Sequence, residues 1–145
     1  MRKIIVATHG ELSKGIVHTL GVIIGEEITH SIDTYSLLPG EDVNDIAESI
    51  EKEITSAKEK NLDYVILTDI AGGSVHNTLL RLVSYPNVWV ITGVNLIMLL
   101  DIILSDSNNS TQTVLEKALE NARLGITLQS CIPDNLSNDL DNDDL

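Results

Sequence analysis

The sequence predicts an α/β domain, with a doubly wound, mostly parallel open sheet and helices on both faces. The chain has 145 residues, enough for one domain with a single core. Its composition is 43% hydrophobic but only 3% aromatic, so Ile, Leu and Val must build the core, as they do in parallel strands covered on both faces. Strand-like and helix-like segments alternate along the chain, which is typical of repeated strand–helix–strand units.

The first half of the chain predicts two strand–helix units. An uninterrupted apolar run predicts a buried first strand, and the apolar residues after it recur at helical spacing until Gly25. Pro39 and Gly40 predict a turn, and Asp42 predicts the N-cap of the next helix. In order, the predicted elements are a strand over 3–8, a helix from Leu12 to Gly25, a more exposed strand over 28–36 and a helix from Asp42 to about Lys58.

The second half predicts two further units and a last short strand. A glycine-containing turn follows the clearest strand of the chain, and Ser74 is the predicted N-cap after it. Right-handed connections between such units place the strands in one sheet. In order, the predicted elements are a strand over 64–68, a helix from Ser74 to about Ser84, a strand over 88–92, helices over 96–104 and 111–123, and a short strand over 125–130.

Charge and composition exclude several classes of function. Twenty-two Asp and Glu against nine Lys and Arg give a formal charge of −13, which repels phosphate backbones, so nucleic acid is not an expected partner. Neither a dinucleotide fingerprint nor a Walker loop occurs, and no cofactor is expected. Cys131 is the only cysteine and cannot form an intramolecular disulfide. The apolar runs are too short for a signal peptide or a membrane span, so we expect a cytoplasmic protein.

The end of the chain differs in composition from the rest. Residues 134–145 hold five Asp and no Lys or Arg, and without them the formal charge is −8, from 17 acids and nine bases. We therefore expect the folded domain to span residues 1–130, and residues 131–145 to form a disordered acidic tail.

Three predicted strand ends carry polar residues: Thr8–Gly10, Asp69–Ser74 and Thr92–Asn95. In open parallel sheets, ligands bind beyond the carboxyl ends of the strands. His9 directly follows a buried strand, and Gly10 lets the chain turn, so the imidazole is expected at the rim of the sheet. This side chain suits proton transfer, metal ligation or nucleophilic attack on phosphorus.

Asp69 is the predicted partner of His9. In a flavodoxin-like strand order the first and third strands are neighbours, so the two side chains would converge. A carboxylate that accepts a hydrogen bond from one imidazole nitrogen leaves the other nitrogen free to react. Gly72, Gly73 and Ser74 come next, where small residues and a helix N-terminus could hold an anion such as a phosphoryl group.

The other histidines are weaker candidates. His18 and His30 are expected on the surface, whereas His76 lies soon after the glycine turn and could flank the site. A zinc site built from His9, Asp69 and His76 is conceivable, but no tight ligand spacing supports it, and no metal is expected.

Four segments carry a family resemblance, in the right order and spacing: Ile5–Gly10, Leu37–Asp42, Thr68–Ser74 with Asn77, and Gly93–Leu96 with Met98 and Leu99. Together they resemble the enzyme IIA component of the mannose-family sugar phosphotransferase system (PTS), the mannose, fructose, sorbose and gluconate type. The resemblance covers nearly all of residues 1–130.

The resemblance implies a phosphoryl carrier. The family histidine matches His9 and accepts a phosphoryl group on Nε2 from the carrier protein HPr, while the aspartate that matches Asp69 orients the ring. The group then passes to an enzyme IIB partner, which phosphorylates sugar entering through the membrane components IIC and IID. Around this pair we expect supporting or phosphoryl-binding residues and, at the rim, two further residues. The first set is Thr8, Gly10, Gly72, Gly73 and Ser74, and the rim residues are His76 and Asn95.

The resemblance also implies an assembly: a homodimer that exchanges a C-terminal strand, here residues 125–130, and that associates peripherally with the membrane transporter. Two features depart from the family pattern. Val75 and His76 stand where family members often have proline and an aromatic residue, and the acidic tail is not part of the usual fold. In fused family members a linker and a IIB domain follow the IIA domain, whereas this sequence ends at residue 145, so we expect a separate IIA protein.

Three alternatives stay open at the level of sequence. A phosphocarrier subunit that serves dihydroxyacetone kinase shares the fold and the histidine, but usually departs from the Thr-His-Gly-Glu and Gly-Val-Asn patterns found here. A regulatory module would signal sugar supply through its phosphorylation state. A metal-dependent hydrolase would use His9 and Asp69. The sequence does not identify the sugar.

Overall fold

The computed structural model describes residues 1–131, which form a four-stranded parallel sheet with helices on both faces. The predicted fold class is therefore confirmed. The elements in chain order are β1 (Arg2–His9), α1 (Leu12–Ile24), α2 (Glu26–Thr29), β2 (Asp33–Leu37), α3 (Val43–Ser56), β3 (Asp63–Thr68), α4 (Ser74–Leu79), a 3₁₀ helix (Leu80–Ser84), β4 (Val88–Thr92), α5 (Leu96–Ile103) and α6 (Thr111–Leu124). Residues 132–145, nearly all of the predicted acidic tail, lie outside the described residues.

The strand order β2-β1-β3-β4 puts β1 and β3 side by side at the centre of the sheet. Their register runs from Arg2 opposite Asp63 to Ala7 opposite Thr68. His9, two residues beyond Ala7, and Asp69, one residue beyond Thr68, consequently leave the sheet at the same edge. The predicted adjacency of the first and third strands is confirmed, and it is what positions the site.

Two aliphatic clusters hold the layers together, one on each face of the sheet. Along β1, Ile5 points into the cluster beneath α3 and α4, and Val6 points into the cluster beneath α1, α5 and α6. Ile66 and Leu67 of β3 divide in the same way, and all four side chains are fully buried. Strands buried on both faces cannot alternate apolar with polar residues, which explains the continuous aliphatic runs in the sequence.

The predicted strand over 28–36 is wrong in its first half. Gly25 ends α1 with a positive φ of 105°, and the chain then forms the short helix α2. The Thr29 hydroxyl donates to the Glu26 carbonyl at 2.9 Å, and the Ile32 amide donates to the Thr29 carbonyl at 3.0 Å. These local hydrogen bonds delay the start of β2 to Asp33.

Two predictions near α4 also need correction. The N-cap is Gly73, and Ser74 is already the first helical residue, so its hydroxyl does not cap the helix. The α-helix ends at Leu79 and continues as a 3₁₀ turn to Ser84. The helices after β2 and β4 begin as predicted, because the side chains of Asp42 and Asn95 accept hydrogen bonds from amides of the first turn.

The predicted strand over 125–130 does not form within this chain, because Gly125 lies in a turn and residues 126–131 have no regular secondary structure. Ile126 and Leu128 are 78% and 95% exposed, which leaves apolar side chains without cover. Exchange of this segment with a second copy stays a prediction. Among residues 1–131, no helix is long and apolar enough to cross a bilayer.

Candidate functional site

His9 and Asp69 meet at the carboxyl edge of the sheet. Oδ2 of Asp69 accepts two hydrogen bonds from His9, one from its backbone N–H and one from ring Nδ1, both at 2.9 Å. An ionised carboxylate has no proton to give, so Nδ1 must carry the hydrogen of this bond. In the neutral ring, the lone pair then lies on Nε2. The structure thus brings together the two residues that the sequence paired.

Ser74 approaches the other ring nitrogen. Its Oγ lies 3.2 Å from His9 Nε2, and since Nε2 holds a lone pair, the hydroxyl donates to it. The His9 side chain is 45% exposed, whereas that of Asp69 is only 13% exposed. The site therefore presents a reachable nitrogen on a ring whose orientation is held from behind.

The charge of Asp69 is stabilised by the groups around it. Burial raises the pKa of the Asp69 carboxyl, but hydrogen bonds from the His9 ring, the His9 backbone and the local backbone, with the His9 charge, outweigh burial and hold the pKa below its usual range. Asp69 is consequently ionised at neutral pH and can stabilise positive charge on the His9 ring.

Gly73 lets the loop after β3 come close to the ring. A Cβ added there would lie 2.7 Å from Ile70 Cγ2 and 3.2 Å from His9 Cε1, so a larger residue would displace one of them. Gly72 adopts a positive φ of 79° that favours glycine. The Asn77 side chain donates to the Gly72 carbonyl at 3.1 Å and ties this loop to α4. Gly72 and Gly73 thus shape this loop through the backbone, and their supporting or phosphoryl-binding role stays a prediction.

Thr8 and Gly10 act behind the ring. Thr8 is fully buried, and its hydroxyl accepts a hydrogen bond from the Ser13 amide at 2.8 Å, which fixes the turn into α1. The Gly10 amide donates to the Leu37 carbonyl at 2.9 Å. The two neighbours of His9 are thus hydrogen-bonded to the turn and to β2, and their supporting role stays a prediction.

The two predicted rim residues make hydrogen bonds of their own. Asn95 accepts from the Met98 amide at 3.0 Å and donates to the Gly93 carbonyl at 3.4 Å, so it organises the start of α5. His76 lies with Nδ1 at 3.0 Å from Oγ1 of Thr68, the last residue of β3. Sequence reasoning gave Thr68 no role. The available signal was a threonine at the end of a buried strand, because a buried hydroxyl needs a partner.

The zinc site considered above gains no support from the described part of the chain. Within residues 1–131, no group of three or more His, Cys, Asp or Glu side chains could hold a metal ion. His18 and His30 are exposed, as expected. What the site offers chemically is an imidazole nitrogen whose lone pair accepts a hydrogen bond from the rotatable Ser74 hydroxyl, with a carboxylate behind the ring.

Comparison with known proteins gives a consistent result. Residues 3–119 match the family model EIIA-man, the PTS system fructose IIA component. The chain is 27% identical to phosphotransferase system component EIIA from Streptococcus agalactiae, over 88% of this chain and 97% of that chain, with a TM-score of 0.76. It is 28% identical to the PTS IIA protein associated with the fucose utilization operon from Streptococcus pneumoniae, over 88% and 92% of the two chains, with a TM-score of 0.74.

A more distant structure shares the fold. The mannose/sorbose specific IIA subunit from Enterococcus faecalis is 19% identical, over 92% of this chain and 97% of that chain, with a TM-score of 0.76. No curated protein matches the chain.

Proposed function

Because the chain belongs to the PTS fructose IIA family, and so carries phosphoryl groups within a sugar phosphotransferase system, we propose that His9 Nε2 is the atom that carries the phosphoryl group. One observation supports this most directly. Asp69 occupies Nδ1 at 2.9 Å, and the remaining lone pair lies on a side chain that is 45% exposed.

The transfer step follows from this geometry. Nε2 attacks the phosphorus of a phosphohistidine donor, the new N–P bond forms as the donor's N–P bond breaks, and the donor ring leaves with its electron pair. Positive charge that develops on the His9 ring is stabilised by the ionised carboxylate of Asp69. The Ser74 hydroxyl, which donates to Nε2 in the unphosphorylated protein, turns to donate to a phosphoryl oxygen. Transfer to the acceptor runs by the same chemistry in reverse.

The proposed partners are phospho-HPr as donor and an enzyme IIB component as acceptor, with IIC and IID involved indirectly through IIB. Exposed apolar side chains beside the site support docking of other proteins here: Leu12 follows His9 at the start of α1, Leu38 follows β2, and Ile70 follows Asp69. They are 49%, 37% and 58% exposed. Since both partners must reach one nitrogen atom, they bind one after the other.

We further propose a homodimer in the cytoplasm that associates peripherally with the membrane transporter. Residues 126–131 follow α6 without strand pairing, and Ile126 and Leu128 are exposed. Among the described residues β4 pairs only with β3, so its other edge is open. An exchanged segment from a second copy would cover apolar side chains and pair this edge in one step.

The test is phosphoryl transfer with purified proteins. Wild type and His9→Ala are incubated with labelled phosphoenolpyruvate, enzyme I and HPr, and the matched control is His30→Ala at an exposed histidine away from the site. We expect one acid-labile, base-stable phosphoryl group on wild type and His30→Ala, and no labelling of His9→Ala, because the nucleophile is gone. Stoichiometric labelling of His9→Ala would overturn the assignment.

A further inference from the structure

His76 lies beneath the site, at the junction of three elements. Its Nδ1 is 3.0 Å from Thr68 Oγ1, and the same hydroxyl oxygen is 3.4 Å from the Ile91 carbonyl oxygen. The carbonyl can only accept, so the Thr68 hydroxyl donates to Ile91 and accepts the Nδ1–H of His76. Thr68 is fully buried, and one hydroxyl thereby links β3, β4 and α4.

We propose that His76 is a positioning residue, whose hydrogen bond to Thr68 holds α4 against β3 and keeps the loop of residues 69–73 closed around the His9 ring. The proposal rests on the proposed role of His9. It assigns His76 a place behind the transfer site, and not a contact with the phosphoryl group.

The link acts on the site because the two ends of the loop meet two atoms of one ring. Asp69, at its start, binds Nδ1 at 2.9 Å, and Ser74, just after its end, lies 3.2 Å from Nε2. A movement of α4 away from β3 would lengthen the second contact while the first stayed in place. Displacements on the order of 1 Å at a reacting group are enough to slow a reaction strongly.

The other hydrogen bonds of the loop cannot replace this link. The Gly73 amide donates to the Ile70 carbonyl, and the Asn77 side chain donates to the Gly72 carbonyl, so both bonds join the loop to itself or to α4. Among residues 1–131, the bond between His76 and Thr68 is the only side-chain hydrogen bond between α4 and β3.

The test compares His76→Leu with His76→Asn. Leucine removes the hydrogen bond, whereas the side-chain amide of asparagine can place a donor near the position of Nδ1. We expect His76→Leu to accept the phosphoryl group about three- to tenfold more slowly, the size expected from one lost hydrogen bond, and His76→Asn to stay within about twofold of wild type. Thr68→Val and Thr68→Ser form a second matched pair, and Thr68→Val combined with His76→Leu should be no slower than the worse single variant.

The ¹⁵N chemical shifts of the His9 ring provide a readout without any carrier protein. We expect the Nε2 shift to change in His76→Leu as the Ser74 contact lengthens, and to return in His76→Asn. The proposal would be overturned if His76→Leu and Thr68→Val both kept the wild-type transfer rate and His9 ¹⁵N shifts. It would also be overturned if His76→Leu and His76→Asn slowed transfer equally. If His76→Leu does not fold, the Thr68 pair decides. If the wild-type protein is never phosphorylated, the proposed role of His9 is wrong, but the ¹⁵N shifts still test the hydrogen bond between His76 and Thr68.

Discussion

Strands β1 and β3 place a basic residue near an acidic residue at both of their ends. At the amino ends, Arg2 and Asp63 are register partners, and Thr111 lies between them, where its hydroxyl accepts from Arg2 Nε at 3.1 Å and donates to Asp63 at 2.5 Å. At the carboxyl ends, His9 binds Asp69 directly. Thr111 bridges the first pair, while in the second pair the other ring nitrogen of His9 accepts one hydrogen bond, from the Ser74 hydroxyl, on a side chain that is half exposed.

The two pairs differ in what they leave for chemistry: the fold binds the charged groups of the first pair, whereas the second pair keeps a ring nitrogen that a rotatable hydroxyl contacts. The Arg2 guanidinium also donates to Ser105 and to the Asn109 carbonyl, so the loop before α6 uses its donors. A guanidinium stays protonated and has no lone pair to offer. An imidazole held through one nitrogen keeps the other available, so the same two strands support structure at one edge and chemistry at the other.

The largest effect that separates the two ends is expected from Asp69→Asn. An amide can accept or donate, so it no longer enforces the Nδ1–H tautomer, and it does not stabilise positive charge on the ring. We expect phosphoryl transfer about 10- to 100-fold slower, measured as the initial rate of labelling from phospho-HPr. Asp63→Asn is the matched control and should transfer at the wild-type rate per folded molecule. Equal rates for wild type and Asp69→Asn would remove Asp69 from the mechanism.

At the amino ends of the strands, we expect a substitution to lower stability and to leave the rate of phosphoryl transfer unchanged. Arg2→Met keeps an apolar stem of similar length but removes every donor, which leaves the buried Thr111 hydroxyl without its arginine partner. We expect the free energy of unfolding to fall by about 1–3 kcal/mol in urea denaturation, with phosphoryl transfer by the folded protein unchanged.

Lys3→Met is the control for that change. The ion pair of Lys3 with Asp33, at 2.9 Å, is partly exposed, so its loss should cost less than about 1 kcal/mol. Slower phosphoryl transfer by Arg2→Met at unchanged stability would show that the two ends of the strands are coupled, contrary to this prediction.

The smallest expected effect is a loss, at acid pH, of the part of the unfolding free energy that Asp69 contributes. The pKa of Asp69 is lower in the folded protein than in the unfolded chain, where it is about 4. Its ionisation therefore stabilises the fold fully above about pH 4, and this stabilisation is lost as pH falls through the lower folded pKa. The stability difference between wild type and Asp69→Asn should therefore be full at pH 6 and shrink towards about pH 2. Unfolding free energies measured across this range check the prediction, and a difference independent of pH would contradict it.

Much of the fold could be predicted from local sequence. Continuous aliphatic runs predicted strands that are buried on both faces, and Asp42 caps α3 as expected. The start of β2 could not be predicted, because Ile28 and Ile32 fit an exposed strand as well as a short helix and turn. The hydrogen bonds around Thr29 decide between these, and they depend on how α1 ends.

The candidate site divides in the same way. His9 and Asp69 could be identified because each directly follows a buried strand, so its place at an edge of the sheet depends only on local pattern. The hydrogen-bond partners of His76 and Asn95 could not be predicted. Both side chains were expected at the rim of the site, and both hydrogen-bond to other residues of the domain, His76 to Thr68 and Asn95 to Met98. A side chain near a strand end can turn towards solvent or towards the sheet, and sequence spacing does not distinguish the two.

By itself, the sequence determined the alternation of strands and helices, the aliphatic core and the residue types available at each strand end. These depend on periodicity and backbone preference, which act over a few residues. Which of these segments meet depends on the tertiary structure. The strand order β2-β1-β3-β4 brings His9 to Asp69 across 60 residues, and the packing of α6 against the sheet brings Thr111 to Arg2 across 109. Such pairings depend on packing both faces of one sheet at once, so the geometry of the site is a property of the whole domain.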